Sequence, residues 1–229
     1  MLAAVDHVVS KDHCKRLVTH YRLGAQHGVA QAQVAALTVK DDKAGWFTLG
    51  DTRTLTFGPG QVVLMRKDPP FDAEYLYATH LLTQAQRDGA KVFNDPRALR
   101  EHPEKLAILE FAQFIAPTLV SRDMDALRAF HAEHGDVILK PLDGMGGMGI
   151  FRVGADGLNL GSILETLTLS GERTIMAQRF LPAIAQGDKR VLLIDGQPVP
   201  YCLARIPQGG EVRGNLAAGG KGVAQPLSP

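Results

Sequence analysis

Lys140 stands just ahead of Gly144, Gly146, Gly147 and Gly149 in the segment Ile138-Leu-Lys-Pro-Leu-Asp-Gly-Met-Gly-Gly-Met-Gly-Ile-Phe-Arg-Val153. Gly144, Gly146 and Gly149 match G-x-G-x-x-G, the dinucleotide fingerprint. That fingerprint needs a strand before the loop and a helix after it. Here Ile150, Phe151 and Val153 predict a strand after it. A Walker A loop is excluded because no Gly-Lys-Ser/Thr closes the run. A glycine loop between two antiparallel strands suits a different role. Its backbone N–H groups close over phosphates without side-chain clash, and Lys140 adds a point charge. The plain alternative is a tight hairpin without a ligand, which needs fewer glycines than this.

A second concentration lies at 205–222, Arg-Ile-Pro-Gln-Gly-Gly-Glu-Val-Arg-Gly-Asn-Leu-Ala-Ala-Gly-Gly-Lys-Gly. Little of it predicts a regular element, and composition alone reads as a linker. Yet Arg205, Arg213, Asn215 and Lys221 are interleaved with glycines. A loop able to fold over an anionic ligand and donate hydrogen bonds has this composition. Arg190 follows Asp188-Lys189. It is either a surface ion pair or a guanidinium that stabilises charge on a transferring phosphoryl group.

The elements that must position these groups follow from periodicity. A helix is expected over 10–28, with Leu17, Val18 and Tyr21 on one face, closed by Gly28. Gln33–Val39 predicts a strand. Trp46–Leu49 and Thr52–Phe57 predict short strands around a Gly50-Asp51 turn. Val62–Met65 predicts a strand buried on both faces of a parallel sheet. A helix over Ala73–Arg87 stopping at Gly89, then a strand at Lys91–Phe93, completes a parallel strand–helix–strand unit. Arg66, Lys67, Asp68 and Asn94 fall at its strand carboxyl ends, where functional groups gather.

Further on, Pro103–Phe114 predicts a helix and Thr118–Val120 a strand, and Asp123 caps a helix to His134. Strands are expected at Val137–Leu139, Ile150–Val153, Thr174–Gln178 and Arg190–Ile194, with a helix near Ser162–Leu169. Asp195-Gly196 predicts a hairpin turn. Val191–Ile194 is expected beside an unpaired sheet edge, which favours pairing with another chain or aggregation.

Composition sets outer bounds. Over 229 residues, hydrophobic residues are 45% and charged residues 21%, as in an ordinary globular protein. Net charge is +1, so no global field argues for nucleic acid or an acidic membrane. No apolar run reaches the roughly 18 residues of a membrane span, and Met1–Ser10 has no signal-peptide pattern. Cys14 and Cys202 lack metal-ligand spacing. They read as buried thiols of a reduced, cytoplasmic protein. His131 and His134, with Asp136 nearby, read as a solvated helix face in preference to a metal site.

Three stretches carry a resemblance: Met65-Arg-Lys-Asp-Pro-Pro-Phe71, Ile138 to Gly147, and Tyr201-Cys-Leu-Ala-Arg-Ile-Pro-Gln-Gly-Gly210 with Arg213-Gly-Asn-Leu-Ala-Ala-Gly-Gly220. They resemble the prokaryotic glutathione synthetases, densely from Thr52 to Pro226 and poorly before Thr52. The resemblance implies an α/β ATP-grasp fold. An N-terminal pre-ATP-grasp parallel-sheet domain would cover 1–102, a central lid domain 103–184, and the start of an incomplete C-terminal domain 185–229. It implies ligation of γ-glutamylcysteine to glycine with ATP and Mg2+ (Mn2+ as an alternative), through an acyl phosphate. Partners would be ATP and the two substrates, with no nucleic acid or membrane, and a homo-oligomer at full length.

By the same resemblance, Lys105 and Lys140 meet the ATP phosphates, and the loop Gly144, Met145, Gly146, Gly147 to Gly149 covers them. Gln178, Arg179, Phe180 and Leu181 form the adenine hinge, and Asp188 is a nucleotide-side contact. Arg66 and Asp68 face the dipeptide. Arg190, Arg205 and Arg213 lie near the reacting carboxylate and phosphate. Ile206–Gly222, with Gly209, Gly210 and Asn215, resembles the loop that closes over the acyl phosphate. The metal ligands are expected from an acidic strand and a Glu-x-Asn segment beyond Pro229. A non-catalytic nucleotide-binding fragment is the competing reading.

Overall fold

Asp72 starts the helix that organises the first part of the chain. Its Oδ1 accepts from the Tyr75 N–H at 2.8 Å, satisfying one of the donors a helix start leaves without partners. Helix α1 then runs Ala73–Arg87, as its apolar spacing predicts. It stops at Gly89, whose φ of +102° and close approach to Pro59 exclude a side chain. Ala78, Thr79, Leu82 and Ala85 form the buried stripe of α1. The computed structural model describes residues 7–10, 17–42, 44–210 and 213–227. The chain forms two units, Met1–Ala107 and Ile108–Pro229.

The first unit is a six-stranded sheet with α1 packed on it. Its strands are β1 (His7–Ser10), β2 (Leu17–Gln26), β3 (Val29–Val39), β4 (Phe47–Thr56), β5 (Gln61–Leu64) and β6 (Lys91–Phe93). Their order is β4-β3-β2-β1-β5-β6. Among the described strands only β5 and β6 run parallel, Val63 facing Val92, which is the strand–helix–strand unit expected. Val34, Val63, Leu82 and Val92 close one core. The Asp88 carboxylate ties the end of α1 to β3 by accepting from the Ala30 N–H at 2.8 Å.

Four expectations for this unit are corrected. The sheet expected to be parallel over 1–102 is mixed, with its other described pairings antiparallel. The segment expected as a helix from 10 to 28 contributes the last residue of β1 and all of β2, with residues 11–16, Cys14 among them, outside the described ones. Gly28 does not stop a helix: His27 (φ 51°) and Gly28 (φ 80°) form a two-residue turn, bracketed by the Gln26–Val29 pair, the geometry that hairpins favour. Gly50-Asp51 is no turn either. β4 is continuous, and its register on β3 slips there, from Thr52 opposite Ala35 to Leu49 opposite Leu37. The pair is a bulge, and glycine lets it lie against Ala36. Finally, β5 buries one face only, since Val63 is buried while Leu64 is 37% exposed.

The helix expected over 103–114 is also replaced. A short helix α2 (Pro96–Glu101) precedes it, capped by Asp95. Those cap N–H groups, Ala98 first, hold the Asp95 carboxyl below its ordinary range. Pro103 then disfavours helical geometry at His102, and Ala107–Phe114 forms 3-10 turns kinked at Phe111.

The second unit contains a four-stranded antiparallel sheet: β7 (Thr118–Ser121), β8 (Val137–Pro141), β9 (Phe151–Val153) and β10 (Ile175–Arg179), in the order β7-β10-β8-β9. Helices α3 (Met124–His134) and α4 (Leu160–Thr168) cover one face. Leu127, Leu139, Val153, Leu164 and Ile175 form the core between. Asp123 caps α3 through the Asp125 and Ala126 N–H groups. His131 is buried and not solvated; its Nε2 lies 2.8 Å from the Gly154 carbonyl oxygen. Among the described residues no helix is long and apolar enough to cross a membrane.

The tail holds more order than its glycines suggest. Strands β11 (Asp188–Ile194), β12 (Gln197–Ile206) and β13 (Lys221–Pro226) form a third, antiparallel sheet with β12 in the middle. The β11–β12 connection is the expected hairpin, with Asp195 and Gly196 at φ 50° and 72°. Cys202 is buried on β12. β11 is an edge strand, and Leu192, Leu193 and Ile194 are exposed on it.

Candidate functional site

The pleat of the four-stranded sheet decides which groups share a face. Val137, Leu139 and Pro141 are buried on β8, while Ile138 and Lys140 are half-buried on the opposite side. In the antiparallel register, Met176 faces Lys140 and Gln178 faces Ile138 on one side of β10. On the other side Gln178 faces Thr118. Directly opposed residues point to the same face, so Lys140, Gln178 and Thr118 converge on the surface that the helices leave uncovered.

A cavity of about 490 Å³ sits on that surface. Ile108, Phe114, Ile138 and Ile150 give it apolar walls. Lys140, Gln178, Asp188, Arg213 and Asn215 give it polar groups, and Arg179, Phe180 and Leu181 line it at the exit of β10. A cavity with apolar walls and a few placed polar groups is the ordinary form of a small-molecule site. Lys140 Nζ donates to Gln178 Oε1 at 2.6 Å. Gln178 Nε2 donates to Thr118 Oγ1 at 2.8 Å.

The glycine loop joins β8 to β9, the strand–loop–strand arrangement expected. Gly146 and Gly147 take φ of 65° and 85°. Gly147 is also close-packed: a Cβ there would lie 3.0 Å from both Arg213 Cδ and Asn215 Oδ1. Arg213 Nη1 donates to the Gly147 carbonyl at 3.3 Å. The tail segment thus rests on the loop through a glycine that has no room for a side chain on that side.

The segment after β10 is pinned from behind. Arg179 N–H donates to Pro117 O at 3.0 Å and Phe180 N–H to Asp136 O at 2.8 Å. The Arg152 guanidinium lies 3.9 Å from the Phe180 ring centroid and makes a two-pronged pair with the Asp136 carboxylate, 2.9 Å from Nε and 2.5 Å from Nη2. That hydrogen bond holds the Asp136 carboxyl below its ordinary range and raises the guanidinium. Arg152, Asp136 and Thr118 were not predicted as site residues. Period-2 alternation places Ile138 and Lys140 together, but no local pattern announces a clamp between β8, β9 and the chain after β10.

The other predicted residues divide by location. Arg205 does not line the cavity; it makes a bidentate pair with Asp188, Nε–Oδ1 at 2.7 Å and Nη2–Oδ2 at 2.6 Å. Arg190 is exposed on β11, and Gly209 and Gly210 are exposed beyond β12. Gly144 and Met145 belong to the loop and are not among the cavity walls. Arg66, Asp68 and Lys105 belong to the first unit. There Arg66 and Asp68 are exposed just past β5, and the half-buried Lys105 Nζ lies 3.9 Å from Glu104. Among the described residues no group of three or more His, Cys, Asp or Glu side chains could hold a metal ion. The residues in hand therefore do not make a divalent-metal site.

Two family models match the chain. The one described as prokaryotic glutathione synthetase, ATP-grasp domain, matches residues 104–229. The one described as prokaryotic glutathione synthetase, N-terminal domain, matches residues 2–100. The second match extends the resemblance through the stretch before Thr52, where the residues alone carried it poorly. The chain is 63% identical over 206 residues to the glutathione synthetase of Xanthomonas campestris pv. campestris, covering 90% of this chain and 65% of that one. It is 69% identical over 166 residues to that of Bordetella parapertussis, covering 72% of this chain and 52% of the relative. The chain thus spans about 65% or less of the length of these curated relatives. Among solved structures, D-alanyl-alanine synthetase A of Vibrio cholerae matches 82% of this chain and 58% of its own at a TM-score of 0.51. At 12% identity that likeness shows the fold alone.

Proposed function

Since the chain belongs to the prokaryotic glutathione synthetase family, we propose that its second unit binds ATP and that the enzyme it forms joins γ-L-glutamyl-L-cysteine to glycine. The cysteinyl carboxylate oxygen attacks the γ-phosphorus and ADP leaves, giving an acyl phosphate. The glycine amine then attacks the acyl carbon, a C–N bond forms, the amine loses a proton, and inorganic phosphate departs. Both steps need positioning and positive charge more than covalent help from the protein.

The observation that carries this reading is the convergence of Lys140, the Gly147–Arg213 contact and the segment after β10 on one cavity. Lys140 would meet phosphate oxygens, with the N–H groups of the glycine loop above them. The apolar walls would take the base. Because the Arg179 and Phe180 N–H groups and the Leu181 carbonyl are engaged within the fold, we assign the base edge to the Phe180 carbonyl and the Leu181 N–H. Arg213 and Asn215 would close on the phosphates from the tail. Arg190 and Arg205 would act near the reacting carboxylate, and Arg66 and Asp68 on the dipeptide. Lys105, Gly209 and Gly210 would complete the phosphate and substrate contacts. Mg2+, or Mn2+ in its place, would neutralise phosphate charge when present; the described residues make no site for it. A homo-oligomer in the cytoplasm, a compartment suited to the free thiol of Cys202, completes the proposal.

Titration calorimetry of the 229-residue chain with ADP tests the site. Wild type is expected to bind, and Lys140→Met to bind at least about tenfold more weakly, as for loss of a charge-assisted contact. Equal affinities for the two would refute the assignment. Measuring glutathione formation beside binding separates the ligase from the competing module that binds nucleotide without turnover.

A further inference from the structure

We propose that Thr118 is a positioning residue of the nucleotide site, acting through Gln178 to fix the Lys140 ammonium. The inference rests on the nucleotide reading of the cavity and names a residue that reading does not use.

Hydrogen-bond polarity fixes which way the Gln178 amide faces. Thr118 Oγ1 lies 2.7 Å from the Ala116 carbonyl. A carbonyl only accepts, so the hydroxyl proton is spent there and the Thr118 oxygen is left as an acceptor. Gln178 must then present its amide nitrogen to Thr118, at 2.8 Å. Its oxygen consequently points the other way, to Lys140 Nζ at 2.6 Å. The lysine end demands the same orientation, because an ammonium has donors only. Both ends agree, and the amide cannot rotate by half a turn without facing donor against donor at Lys140.

Two features make this a device and more than a local bond. The acceptor that Gln178 offers Lys140 is neutral, so this contact aims the ammonium and itself removes no charge. A carboxylate in place of Gln178 would hold the lysine as well and take that charge away. The chain of bonds also crosses three adjacent strands, β7, β10 and β8, so the lysine is referenced to the sheet and not to its own flexible stem. Ordering a long lysine side chain in advance removes rotamer entropy that a phosphate would otherwise offset on binding.

The test is Thr118→Val, which keeps shape and strand preference while removing the hydroxyl, measured by calorimetry with two probes, ADP and adenosine. ADP affinity is expected to fall about three- to tenfold, the loss of one net hydrogen bond. Adenosine affinity is expected to stay within about twofold, because no phosphate meets Lys140. Thr118→Ser is expected to restore ADP binding. In a Lys140→Met background, Thr118→Val is expected to have no further effect, since the group it positions is gone. Equal losses for ADP and adenosine would mean a merely structural role and overturn the proposal, as would additive losses in the double variant or an unchanged ADP affinity in Thr118→Val. Failure of the wild-type chain to bind ADP would overturn the nucleotide reading itself, and this inference with it. Circular-dichroism melts confirm that each variant folds.

Discussion

Arg152→Ala tests whether the segment after β10 is held from behind. The guanidinium makes a bidentate pair with Asp136 and stacks on Phe180 at 3.9 Å. The pair's side chains are 42% and 34% exposed, so water screens them and the pair contributes about 0.5–1 kcal/mol. The stack adds about 0.5–1 kcal/mol. Together they give about 1–2 kcal/mol, which lowers Tm by about 4–8 °C in a unit of this size. Arg152→Lys keeps a charge for Asp136 but lacks the planar fork, and about half of the loss is expected to return.

The pH dependence has a definite sign. Hydrogen bonding from Arg152 depresses the Asp136 carboxyl in the folded protein. A depressed carboxyl adds stability above its unfolded value, near pH 4, and that stability is lost as pH falls through the folded value. The gap between wild type and Arg152→Ala should therefore be full at neutral pH and shrink below about pH 4. NMR titration should find Asp136 moved up toward the ordinary carboxylate range in the variant. A melting temperature within about 1 °C of wild type at pH 7, against the several degrees expected, together with an unmoved Asp136 titration, would refute the clamp.

Two further outcomes are expected. Gly147→Ala places a Cβ 3.0 Å from Arg213 and Asn215 at a φ of +85°, adding about 1–2 kcal/mol of backbone strain to a contact that must open. Gly146→Ala, at φ +65° with nothing within 4 Å, carries the strain alone, so ADP binding should weaken more in Gly147→Ala, and equal losses would count against the loop–tail contact. Leu164→Ala removes a fully buried core side chain and should lower stability by about 2–5 kcal/mol in urea melts, whereas Leu158→Ala, at a 70% exposed position, should stay within about 0.5 kcal/mol.

The legible parts of the fold were those where one local signal had one meaning. Asp123 caps a helix where predicted, and the helix predicted over Ala73–Arg87 has those bounds. The glycine loop after Lys140 falls between antiparallel strands as predicted. The misread parts carried signals with two meanings. Gly28 can end a helix or turn a hairpin, and the choice depends on pairing of β2 with β3, which lies outside any local window. Gly50-Asp51 has turn composition but serves as a bulge, because β3 continues past it. β12 was missed because Pro198 and Pro200 usually argue against a central strand. Here Pro200 contributes its carbonyl, accepting from the Leu227 N–H at 2.9 Å, a bond that needs no proline donor.

The cations around the site were less legible than the glycines, because residue type does not reveal what a charge is held by. Arg205 and Arg152 are held by the carboxylates of Asp188 and Asp136, contacts that fix a guanidinium while offsetting its field. Lys140 and Arg213 donate to neutral acceptors, the Gln178 amide oxygen and the Gly147 carbonyl, contacts that fix position and themselves remove no charge. An arriving phosphate is attracted several times more strongly in a partly desolvated cavity than in water, and a neutral acceptor aims a cation toward it without itself opposing that attraction. Two of the tail glycines have a packing role. A Cβ on Gly214 would come within 2.5 Å of the Arg205 carbonyl, and one on Gly220 would collide with the Gly214 carbonyl. Those two residues are glycine because the backbone between β12 and β13 packs against itself, and that packing sets Arg213 and Asn215 against Gly147.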